Sequence, residues 1–123
     1  MEISGKTTIV PVGTQFANVG VAAANVVTQI VAPATNQYGL VIRTCSLSGA
    51  SSTIGLAVYA DTSAPSGYGD GTKRVIFLGV APPSDHLPYQ VYLPPGYGVW
   101  LVTNGNGSIN MTYDVLDRLP TGL

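Results

Sequence analysis

Polar and apolar residues alternate along much of this chain. Over residues 108–116, Ile109, Met111, Tyr113 and Val115 share one face of an extended segment, and Ser108, Asn110, Thr112 and Asp114 share the other. Residues 53–60 behave alike, with Ile54, Leu56 and Val58 opposite Thr53, Gly55, Ala57 and Tyr59. Six more runs rich in β-branched and aromatic residues read as strands: 7–12, 26–32, 40–47, 73–80, 89–93 and 98–103. Clusters of Pro, Gly, Asn, Asp and Ser separate them. Pro94-Pro95-Gly96 fixes φ and then permits a positive one, which predicts a turn. Asn104-Gly105-Asn106-Gly107 carries two Asn-Gly steps and predicts a hairpin between the last two strands.

One segment fits two patterns. Val19, Ala22, Ala23, Val26, Val27 and Ile30 also match a helical stripe. Gly20 and the β-branched Val26-Val27-Thr28 pull toward extended backbone, so the reading is a loop followed by a strand. Eight short strands predict an all-β fold, a jelly-roll-like antiparallel β-sandwich or barrel; seven strands in another sandwich topology fit almost as well. Residues 75–80 and 99–102 are apolar on both faces. Strands of that kind need a cover: a loop, an arm or another subunit.

Composition sharpens this picture. The 123 residues predict a single domain spanning 1–123, and 15 glycines with 9 prolines suit tight turns between short strands. Charged residues are 9% of the chain against a usual ~25%. Net charge is −1, and among the five cations only Lys73 and Arg74 adjoin, which argues against a nucleic-acid partner. A surface so poor in charge suits a protein covered by partners. No run of about 18 apolar residues is present, so no membrane span is expected. The first residues lack an apolar signal core, so use without secretion is expected.

Candidate chemistry is sparse. His86 is the sole histidine and lies beside Asp85 in a proline-flanked loop, with no nucleophile elbow among the serines; no catalytic residue is assigned. Cys45 is the single cysteine, in an apolar run, and reads as a buried inert thiol. Together with His86 it falls short of a zinc site. Asp61 and Asp70 bracket the longest loop, where ordinary turn chemistry competes with a calcium site; no metal and no cofactor is assigned. Trp100 and Phe77 read as core. Tyr68, at the loop tip, and Tyr97, at the proline turn, are candidate partner contacts. Residues 1–12, with Ile3, Ile9 and Val10 as contact candidates, read as an apolar arm able to add a strand to a neighbour, or else as the first strand of the chain's own sandwich.

The proline turn, the Trp-containing strand, the Asn/Gly step and the closing Tyr113-Asp114-Val115-Leu116 resemble the end of small tailed-bacteriophage virion proteins. Gly39-Leu40-Val41-Ile42-Arg43-Thr44-Cys45-Ser46-Leu47-Ser48-Gly49 is similar in style to the same proteins. The resemblance spans residues 39–116 and implies a non-enzymatic structural role in the virion, made in the host cytoplasm. Such proteins decorate or cement capsids, or form tail and fibre parts. The implied partners are its own copies, as a dimer or trimer, and the major capsid protein or another virion protein. The alternative is a receptor- or carbohydrate-binding module with Tyr68, Tyr97 and the long loop as its site.

Overall fold

More than half of the described residues lie in β-strands. A computed structural model describes residues 2–3, 7–8, 12–51, 53–80 and 84–120. Among them are eleven strands and one 3-10 turn, Pro33–Thr35, with no α-helix. The strands are β1 (Glu2–Ile3), β2 (Thr7–Thr8), β3 (Gln15–Val21), β4 (Val27–Val31), β5 (Leu40–Gly49) and β6 (Gly55–Asp61). They continue with β7 (Val75–Val80), β8 (Ser84–His86), β9 (Val91–Leu93), β10 (Gly98–Thr103) and β11 (Gly107–Val115).

One sheet has the order β4-β10-β6-β7, the other β3-β11-β5-β8, with β9 also on β5. β8 pairs with Ser46–Ser48 and β9 with Leu40–Ile42, so the two form one interrupted edge strand. With that strand counted once and β1 and β2 set aside, the strands run 1-8-3-6 and 2-7-4-5. This is the jelly-roll order. The all-β sandwich expected from the alternation is therefore the fold.

The core lies between the sheets. Leu40, Ile42 and Leu47 of β5, Leu56 and Val58 of β6, Leu101 of β10, and Ile109 and Met111 of β11 are fully buried there. A second cluster, Ala57, Tyr59, Trp100 and Val102, sits on the opposite side of β6 and β10. It is covered by the chain's own 62–74 loop: Tyr68 packs on it, and the Gly69 amide donates to the Tyr59 hydroxyl at 3.0 Å. Of the two runs apolar on both faces, 99–102 on β10 thus has a loop as its cover, which it shares with β6. Edge strand β7 keeps Val75 and Leu78 exposed.

Four expectations need correction. Residues 104–106 do not close a hairpin, because β10 and β11 belong to different sheets. A two-residue type I′ hairpin needs positive φ at both central residues, and none of 104–107 has it. Asn104 instead pairs with Gly55: its amide donates to the Gly55 carbonyl at 3.1 Å, and its Oδ1 accepts from the Gly55 amide at 2.7 Å. Residues 15–21, read as loop, are strand β3. Ala17, Val19 and Val21 turn inward and Phe16, Asn18 and Gly20 outward, an alternation muted by small residues. His86 ends strand β8 instead of lying in a loop, and the strand expected over 89–93 begins at Val91.

At the N-terminus, Glu2–Ile3 pairs only with Thr7–Thr8, in neither large sheet. Ile9 and Val10, with the rest of the strand expected over 7–12 as far as Pro11, lie outside the described residues; Val12 is exposed and unpaired by any strand.

Candidate functional site

A groove of about 750 Å³ lies on the outward face of the β3-β11-β5-β8 sheet. Register builds its floor. Asn110 of β11 stands opposite Asn18 of β3 on one side and Ser46 of β5 on the other, and Ser46 stands opposite His86 of β8. These four form one polar row across four strands. In the next row, Thr112 faces Phe16 and Thr44. The two threonine hydroxyls bond each other at 2.7 Å, and the Gly13 amide donates to Thr112 Oγ1 at 3.1 Å.

A bulge shapes one end. Thr112 pairs with Thr44, but Tyr113 pairs with Ile42, so Arg43 is the extra residue on β5. The bulge lets Arg43 and Thr44 both face away from the core, while Ile42 and Cys45 stay buried. Arg43 Nε then meets Asp114 Oδ2 at 2.7 Å, and its Nη1 donates to Gln90 Oε1 at 2.8 Å. Asp114 also accepts from the Thr14 amide and hydroxyl, both at 2.8 Å. The Thr14 amide and then the Arg43 guanidinium hold its carboxyl below the ordinary aspartate range. Residues 87–90 form the far wall, where Tyr89 is 69% exposed.

The tyrosines expected to contact partners lie elsewhere. Tyr68 is half-buried against the Ala57, Tyr59, Trp100 and Val102 cluster, beside a small apolar pocket of about 220 Å³ that reaches Val75 and Leu78. Tyr97 is half-buried on the main core, with the Arg74 guanidinium 5.3 Å from its ring centre. Neither lines the groove. Ile3 lies in β1, which belongs to neither large sheet.

The remaining candidates have structural roles. Asp61 accepts from the Thr62 amide at 2.7 Å and from Arg74 Nη1 at 3.0 Å. Asp70 accepts from the Ser66 and Thr72 amides at 2.8 and 2.9 Å. Each carboxylate closes its own turn. Among the described residues no cluster of three His, Cys, Asp or Glu side chains could hold a metal ion. Burial pushes the Cys45 thiol up to about 12, so it stays protonated and a poor nucleophile. Sequence reasoning missed the groove because its parts, Asn18, Thr44, Ser46, Asn110 and Tyr89, are ordinary outward strand and turn residues until register aligns them. No family model, curated protein or solved structure matches this chain.

Proposed function

We propose that the chain is a non-enzymatic structural protein of a bacteriophage virion, acting as a capsid decoration or cement subunit that binds the head shell and its own copies. A tail or fibre position is the variant of the same reading. The observation that supports it best is where apolar groups remain uncovered. Val75 and Leu78 stand 45% and 58% exposed on edge strand β7, and Val12, just after the N-terminal pair, is 68% exposed. On a chain with so few charges, apolar groups at a sheet edge make a surface for association. The β1–β2 pair, outside both large sheets, fits an arm that engages a neighbour.

Two measurements test this reading. Light scattering on the purified chain is expected to give a stable dimer or trimer, and the chain is expected to rebind particles stripped of it and restore their heat resistance. Deleting residues 2–12 is expected to abolish rebinding while leaving the melting temperature near that of the full chain. A monomer that binds no particle refutes the proposal. A deletion that unfolds the protein refutes the arm.

A further inference from the structure

We propose that the groove across β3, β11, β5 and β8 is a binding site for a neutral oligosaccharide. The inference goes beyond the virion reading and does not depend on it. The groove's volume, about 750 Å³, falls among small-ligand clefts. Its floor carries Asn18, Asn110 and Ser46 in one row, and none of these three side chains is held by another described residue. Amides and hydroxyls both donate and accept, as sugar hydroxyls do. Neighbouring strands lie ~4.8 Å apart, so the row offers a polar group at intervals comparable to one pyranose unit.

Charge narrows the ligand class. Among the described lining residues Arg43 is the one Lys or Arg, beside the single histidine His86, and Asp114 at 2.7 Å already pairs with it, with Gln90 fixing its other arm. An anionic glycan would have to displace that pair. A neutral one would not.

An aromatic ring completes the site. Tyr89 stands 69% exposed on one wall; Phe16, 71% exposed, shares the outward face of β3 with Asn18 but lies outside the groove's lining. Exposed ring faces suit the C–H faces of sugars, and the polar floor suits their hydroxyl edges. The floor lies on paired strands and is braced by the Thr44–Thr112 bond, so little ordering is left to binding.

Calorimetric titration of the full chain with cellohexaose, maltohexaose, mannohexaose and chitohexaose tests this. At least one is expected to bind saturably with a dissociation constant below about 1 mM. Asn110→Ala and Tyr89→Ala are each expected to weaken it about tenfold, the scale of one lost hydrogen bond or stacking contact. Both side chains are exposed, so both variants should keep the parent circular dichroism. Tyr68→Phe, away from the groove, is expected to bind as the parent does. Three results overturn the proposal: no binding by any of the four, binding unchanged in both groove variants, or tighter binding of a heparin hexasaccharide than of every neutral probe.

Discussion

Asn36 is a polar residue, 1% exposed, that no motif announced. Its Nδ2 donates to the Pro94 and Tyr97 carbonyls at 2.8 and 3.0 Å, and its Oδ1 accepts from the Gly39 amide at 2.8 Å. One side chain thereby ties the 3-10 turn to the proline turn. Asn36→Ala would leave these backbone groups unpaired, and a loss of about 2–4 kcal/mol is expected in urea unfolding. Asn36→Asp should lose as much near neutral pH, because it aims an acceptor at two carbonyls. In the sequence Asn36 is one more turn former, since two of its partners lie 58 and 61 residues away. Asp114 sets a pH response. Its carboxyl, like that of Asp61, titrates lower in the fold than the ~3.9 of an unfolded aspartate. Such a group stabilises fully above its unfolded value and ceases to do so as pH falls through the folded one. The melting temperature should hold steady above about pH 5 and fall below about pH 4. Asp114→Asn should make that acid limb shallower.

Elements were legible where alternation was strong and local. The strand expected over 98–103 is the observed Gly98–Thr103, and Gly96 has the positive φ, +86°, that the proline turn implied. Tyr97 N to Pro94 O at 3.3 Å closes that turn. Strand β3 was hidden because Ala17 and Gly20 blunt its pattern. The Asn-Gly corner misled for a different reason: its glycines serve close packing and not turn geometry. A Cβ on Gly105 would strike the tip of Ile54, and one on Gly107 would lie 2.6 Å from Leu56 Cδ2. Gly98 is less forgiving, because its Cβ would come within 2.7 Å of the Val31 carbonyl oxygen, a backbone atom, and of the Pro33 ring at Cδ, neither of which can swing away. Gly98→Ala is therefore expected to cost about 1–3 kcal/mol, measured by chemical denaturation. Gly105→Ala should cost less, since the end of a half-buried isoleucine can rotate away.

At the scale of the molecule, the sequence reading reached the sandwich but not the groove on its outer face. Jelly-roll connectivity brings together strands that are far apart in the chain, so the groove's residues come from 18, 44, 46, 86, 89 and 110 and form no motif. The low charge was legible and bears on association: with few like charges to repel, copies of the chain can approach over apolar edges at ordinary salt. The 62–74 loop has a consequence for how the protein can be watched. The chain holds a single tryptophan, and Trp100 lies in the cluster that this loop covers, on the far side of the sheet from the main core. Its indole emission therefore reports on the loop, whereas circular dichroism reports on the strands. Asn25→Ala, which removes the Oδ1 that accepts the Tyr68 amide at 2.5 Å, should redshift the emission at temperatures where the β signal is intact. A redshift that tracks strand melting at every temperature would show loop and sandwich opening as one. The molecule thus carries an intrinsic optical probe placed under the loop, read independently of the strand signal.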